Sequence, residues 1–280
     1  MKNYYMLLAA VCLHVSSFGQ TDTTGNNEKT GQERDTIRIG NMIIIKNRDH
    51  RDKKDTTNVD VKYAPKRLTN ISTNWLILDL GFNNFKDNTD YASASTQQFA
   101  PGSTKETFNL RNGKSINVNI WFVMQRLNLI KHVVNLKYGL GLELNNFRYE
   151  EDIRFAKSPT VINRDPLISY SKNKLATDYL TVPIMLNFNF TPRKGKYNTF
   201  GLSAGVSGGY LYASRQKLIS GENGKEKIKS NFDLLPYKLN YIAELQLGPV
   251  KVYGSMASQS MFEKGLDQTP YSIGLRLSNW

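Results

Sequence analysis

A hydrolytic nucleophile needs a base beside it, usually a histidine. The 280-residue chain has three: His14, His50 and His132. His14 lies in a leading apolar stretch, and His50 in the charged run "NRDHRDKKDTTNVDVK". His132 falls in a short link between two β-prone segments and reads as a solvated turn residue. Cys12 is the single cysteine, so no ligand set for zinc is at hand. Glu150, Glu151 and Asp152 form a carboxylate run. Acid–base work also needs a pocket and a partner, so this run reads as a loop tip. There is no phosphate-binding glycine motif. The expectation is a protein that is not an enzyme, with no catalytic residues, no cofactor and no metal. A lipid hydrolase with a Ser–Glu or Ser–Asp dyad is kept as a distant alternative.

A second set of reactive types has a different spacing. Asp79, Lys137, Glu143, Lys238, Glu244 and Arg276 each sit between apolar neighbours in a run of period two. "VVNLKYGLGLELNN" (133–146) shows the pattern: Val134, Leu136, Tyr138, Leu140, Leu142 and Leu144 alternate with Asn135, Lys137, Gly139, Gly141 and Glu143. Such a run is a β-strand with one greasy and one polar face. Eight segments repeat it from residue 74 onward, beginning with "NWLILDLGFNNF", "SINVNIWFVMQRL" and the stretch just quoted. Then come "YLTVPIMLNFNF", "TFGLSAGVSGGYLY", "YKLNYIAELQLG", "VKVYGSMASQSMF" and "YSIGLRLSNW". In the second, Phe122 and Met124 are assigned to the greasy face and Gln125 to the polar one. In the fourth, Pro183 lacks an N–H and should sit at a bulge or a widened pair.

Each segment is about 10 residues, the length a tilted strand needs to cross a bilayer. Tight links ("NLIKH", "TPRKGKYN", "GP") alternate with long polar connections near 86–114, 148–176, 214–236 and 263–270. That alternation is the rhythm of an up-and-down barrel in an outer membrane. Asn112-Gly113 and Asn223-Gly224 predict hairpins within the long connections. The polar faces carry three acids and three bases, as many positive as negative, and many small residues. The interior of a barrel of ~8 strands is just wide enough for side chains. Aromatics collect at segment ends, Trp75, Phe82, Phe147, Tyr149 and Tyr179 among them, as interfacial belts do. The greasy face therefore points to lipid, and the six charges form a structural network in the lumen.

The first residues, "MKNYYMLLAAVCLHVSSFGQ", have Lys2, an apolar run and small residues before Gln20. They read as a signal peptide over 1–19. Residues 20–70 read as a flexible segment with one small hairpin over 36–46, turning at Gly40-Asn41. Residues 71–280 read as the barrel. The fold class is all-β: a transmembrane up-and-down antiparallel barrel of about eight strands. The formal net charge is +13. With export, that excess suits solvated basic loops or anionic headgroups rather than nucleic acid.

The stretch from Trp75 to Trp280 resembles the porin-like outer-membrane β-barrel family of Bacteroidota-type bacteria. "KLATDYLTVPIMLNF" looks like that family's Tyr-Leu-x-hydrophobic-Pro-hydrophobic strand, and "FGLSAGVSGGYLY" like its glycine-rich following strand. The resemblance implies residence in the cell outer membrane; the alternation of connection lengths, with export, predicts long connections outside and a periplasmic N-terminal segment. The partners expected are outer-membrane lipid and lipopolysaccharide, the barrel-assembly machinery, and an envelope protein met through the N-terminal tail. The favoured role is a non-catalytic anchor, adhesion or assembly protein; the alternative is a small passive channel.

Overall fold

The computed structural model describes residues 34–39, 42–47 and 58–63, as backbone, and residues 69–165, 167–192 and 198–278 in full. The expected signal peptide and Trp280 lie outside the described residues. The chain divides into two compact units, Met1–Arg67 and Leu68–Trp280.

In the first unit, β1 (Arg34–Ile39) pairs antiparallel with β2 (Met42–Asn47) from Arg34↔Asn47 to Ile39↔Met42. β2 pairs in turn with β3 (Asn58–Tyr63), giving the order β1-β2-β3. The third strand corrects the linker reading of that stretch. "NVDVK" alternates with period two, but the charges around it masked the signal.

In the second unit, eight strands close a ring. They are β4 (Ile71–Asp87), β5 (Ile116–Ile130), β6 (Val134–Arg148), β9 (Tyr170–Asn189), β10 (Phe200–Ser220), β12 (Tyr237–Leu247), β13 (Val250–Ala257) and β14 (Gln268–Leu277). Each pairs antiparallel with the next in that order, and β14 returns to β4 from Gln268↔Asp87 to Leu277↔Leu78. A closed ring leaves the wall no open edge, so every strand finds its partners inside the sheet. The tight link between β5 and β6 holds Lys131 and His132 at positive φ, the backbone a two-residue turn between twisted strands requires.

Three shorter strands lie outside the ring. β7 (Ile153–Phe155) and β8 (Ile162–Arg164) form a hairpin inside one long connection. β11 (Gly224–Lys229) folds back on the far end of β10, so Asn223-Gly224 does mark a hairpin. Asn112-Gly113 does not: it lies in a single 3-10 turn, Asn112–Lys114. Pro183 sits in regular register opposite Ser207 of β10. On its other side the ladder to β6 stops at Tyr138↔Ile184 and resumes at Gly141↔Thr181. The missing N–H thus falls in a gap of the ladder and needs no bulge.

The apolar parity of the wall faces outward. Leu180, Val182, Ile184 and Leu186 are exposed on β9, as are Ile273, Leu275 and Leu277 on β14. Exposed aromatics gather at both margins of this band. Phe190 stacks on Phe200 at the turn end (ring centroids 5.2 Å apart), and Tyr210 leans on Tyr237 at the loop end (5.4 Å). Phe147, Tyr149 and Tyr179 are not part of the belt. All three are buried, because the first two belong to the cap described below and the third lies inside the barrel.

Candidate functional site

The inward parity brings the six charges read from the sequence into two groups. In the first, the Arg276 guanidinium grips Asp79 with two parallel bonds, Nε to Oδ1 at 2.7 Å and Nη2 to Oδ2 at 2.8 Å. Its third nitrogen, Nη1, reaches Glu244 Oε2 at 2.5 Å. Lys137 Nζ donates to the other oxygen of Glu244 at 2.6 Å and to Ser203 Oγ at 3.1 Å. The four side chains form one chain of alternating sign, and all are buried. In the second group Lys238 Nζ meets Glu143 Oε1 at 2.5 Å and lies 3.9 Å from the centre of the Tyr179 ring. Asn145 and Asn240 donate to the Glu143 carboxylate. Buried charge is tolerated when it is paired and its remaining lone pairs are satisfied. Both groups meet that condition.

Sequence reading missed several members. Trp121 donates from Nε1 to Asp79 Oδ2 at 2.7 Å, and the Arg276 guanidinium carbon lies 5.5 Å from the centre of its ring. Met124 is fully buried in an apolar patch with Ile77, Trp121 and Met185. Met124 was misplaced because Phe122 is an extra residue on β5: the register to β6 slips between Trp121 and Val123. One extra residue sends every later side chain to the other face. Met124 therefore turns inward. Gln125 turns outward, where it bonds Tyr138 Oη and Thr73 Oγ1. Lys251 is also buried and donates to Ser278 Oγ. Arg126 stands opposite Lys137 in the β5–β6 register. With these two the inward faces of the transmembrane wall carry five cations against three carboxylates, so the expected equality does not hold. Lys251 went unseen because the alternation of β13 is blurred by Gly254, Ser255 and Ala257.

Small residues make the room. At Gly141 a Cβ would lie 2.7 Å from Trp121 Cε3 and 2.6 Å from the Ile120 carbonyl oxygen. At Gly81 it would lie 2.6 Å from Tyr253 Oη. The lumen that remains includes two cavities of about 20 Å³. One lies between Glu143, Glu244 and Arg276, the other beneath Phe147 and Met261. Each has room for about one water.

The long connections are not the solvated loops expected from their polarity. They fold over one end of the ring into an apolar core. It takes Phe99 from helix α1 (Ala94–Phe99), Phe108 and Leu110 from the same connection, and Ile153, Phe155 and Ile162 from the β7–β8 hairpin. Phe232, Leu234, Met261, Phe262 and Leu266 come from the other two. Rings step across the end: Phe108 to Tyr149 (6.3 Å), Tyr149 to Phe155 (6.1 Å), Phe155 to Phe232 (5.4 Å). Gln216 of β10 accepts from Phe155 N and donates to the Ile153 carbonyl, each at 2.9 Å, which ties the hairpin to the wall. The carboxylate run is built into the same structure. Asp152 accepts from Tyr170 N at 2.9 Å, and Glu151 pairs with Arg164 at 2.5 Å.

Among the described residues no group of histidine, cysteine, aspartate and glutamate has the arrangement of a metal site. His132 lies in its turn, where Asn128 Oδ1 accepts from its backbone N–H.

A family model described as the outer membrane protein beta-barrel domain matches residues 76–252, more than half of the chain. The chain belongs to that family. As an outer-membrane β-barrel it is transmembrane through its strands, and its outward apolar band is the lipid-facing surface. No helix among the described residues is long and apolar enough to cross a membrane. Among solved structures it is similar to Ail, the attachment invasion locus protein of Yersinia pestis, at 13% identity and a TM-score of 0.30. That match covers 73% of this chain and 98% of Ail. Ail has also been solved with the heparin analogue sucrose octasulfate. A triple mutant of the Rhodopseudomonas blastica porin matches at 12% identity and a TM-score of 0.13, over 88% of each chain. No curated protein matches the chain.

Proposed function

We propose that this barrel is a non-catalytic membrane anchor that works through the folded surface at its loop end, as an adhesion or assembly partner. The observation that carries this reading is the cap. Four long connections that a pore would keep clear of its mouth are spent on one apolar core across it. Below the cap, Arg276, Glu244 and Lys137 occupy the middle of the lumen as a hydrogen-bonded chain. A narrow lumen filled this way suits a plug better than a channel.

The lumen network is structural in this reading. Residues 1–19 are the export signal, 20–70 a periplasmic segment, and the loop end faces the outside of the cell. Kinship with the porin-like barrels of Bacteroidota-type bacteria, and partners in lipopolysaccharide, the assembly machinery and an envelope protein, belong to the same proposal. Insertion of the purified chain into a planar bilayer tests it. Conductance should stay near baseline. Stable large openings that pass ions and small sugars would overturn the plug and establish the channel.

A further inference from the structure

At the loop end β9 and β10 run on beyond the lipid-facing band, and with β11 and the end of β6 they form a four-stranded extension of the wall. Its inner face closes on the cap through Phe147, Leu175, Leu218 and Ile228. The residues of the opposite parity face outward. Among them Arg148 stands opposite Lys174, Lys174 opposite Lys217, and Lys217 opposite Lys227. Four cations thus stand in one row across four adjacent strands. The neighbouring rows add Arg215 opposite Lys229, and Lys172 opposite Ile219, itself opposite Lys225.

Like charges directly opposite one another destabilise a sheet. One carboxylate on this face, Asp178, is engaged by Arg215. Among the described residues no carboxylate forms an ion pair with Lys172, Lys217, Lys225, Lys227 or Lys229. Crowding shows in Lys174, whose ammonium is lowered to about 8 by burial first and then by Lys217, Lys172, Arg215 and Arg148. Lysines on β11 alone would be explained as protection of an open edge. Lys174 and Lys217 sit on strands paired on both sides at these positions, so edge protection does not account for them.

A cleft of about 630 Å³ opens on this face. Arg215, Lys227 and Lys229 line it together with Leu211, Tyr212 and Ala213. Tyr210 and Tyr212 are exposed and lead from it down to the apolar band. The surface is therefore cationic above and apolar below, in the order in which a membrane lipid presents headgroup and chains.

We propose that this outward face binds the phosphate groups of a lipid whose acyl chains lie against the barrel wall beneath it. The proposal rests on the membrane reading above, but not on the plug or on orientation. Its test is native mass spectrometry of the full mature chain in detergent, using preparations that migrate as folded before boiling. The probes are phosphorylated lipid A, the same lipid dephosphorylated, and inorganic phosphate. Lys174→Gln/Lys217→Gln/Lys227→Gln should weaken binding of phosphorylated lipid A roughly a hundredfold, since each cation near a membrane surface contributes about fivefold. Lys86→Gln/Lys105→Gln/Lys114→Gln, elsewhere on the loop end, should leave it unchanged. Should the first triple variant not fold, Lys217→Gln alone should still lose about fivefold. Equal retention by wild type and the Lys217 variants, or equal binding of the dephosphorylated lipid, would overturn the site. Inorganic phosphate displacing the lipid at equal concentration would overturn the lipid as its ligand. A failure here leaves the conductance result standing, because detergent binding depends on neither the cap nor the lumen.

Discussion

Glu244 serves two cations at once, Lys137 on one oxygen and Arg276 on the other. Removing it leaves both buried without their shared counter-charge. Breaking a buried pair from one side costs about 3–5 kcal/mol, whereas exposed pairs contribute about 0.2–1 kcal/mol. Glu244→Ala and Glu143→Ala should therefore each lower unfolding stability in detergent by about 3–5 kcal/mol. Glu151→Ala, which releases the exposed Arg164, should cost under about 1 kcal/mol. Equal losses at all three positions would mean that the lumen is wet enough to screen its charges. At this scale the sequence was legible where period two is unbroken. Asp79, Lys137, Glu143, Lys238, Glu244 and Arg276 all face inward as their parity requires. Met124 and Gln125 were misread because a single residue, Phe122, changes the count, and no local residue type announces it. Leu76 lies across from that slip at positive φ and is exposed beside exposed Trp75, so β4 resets its parity at the same level.

Elements fit together in this wall through what neighbouring strands leave out. β6 carries glycine where β5 carries tryptophan, and Gly141↔Trp121 is a register pair. A methyl group at Gly141 would meet the ring and the β5 backbone at under 3 Å. Relief needs the indole to move, and with it the bond to Asp79. Gly141→Ala should cost about 1–3 kcal/mol, the usual range for an overpacked site. It should also shift the tryptophan emission. Gly113→Ala has open space around it and should stay within about 0.5 kcal/mol of wild type. No difference between the two would mean that β5 and β6 can part without cost. The eight wall strands were readable from sequence because lipid demands long, regular alternation. The elements of the cap were not. Phe99, Phe108, Phe155 and Phe232 are single aromatics in polar segments, at spacings that match neither a helix nor a strand. What unites them is a tertiary core, and a core assembled from four separate connections leaves no period in any one of them.

The Leu68–Trp280 unit is a closed wall with a folded end, and both properties bear on its behaviour as one object. Ring closure through β14 and β4 means that no strand can leave without breaking two ladders. Solvated loops would be trimmed away by protease. Anchored ones should be cut only at their tips, because each tip is flanked on both sides by buried residues. Exposed tips occur near 101–106, 157–159 and 221–223. The first lies between Phe99 and Phe108, the second between Phe155 and Ile162, and the third between Leu218 and Ile228, all in one core. Proteinase K added to intact cells should therefore nick at these tips and go no further. The nicked protein should still run as a compact band in SDS at room temperature and fall into fragments only on boiling. Complete loss of residues 88–115 with the wall left intact would show that the cap opens readily, and would weaken its case as a binding surface. Cleavage confined to the Met1–Arg67 unit would place the loop end inside the envelope and reverse the proposed orientation.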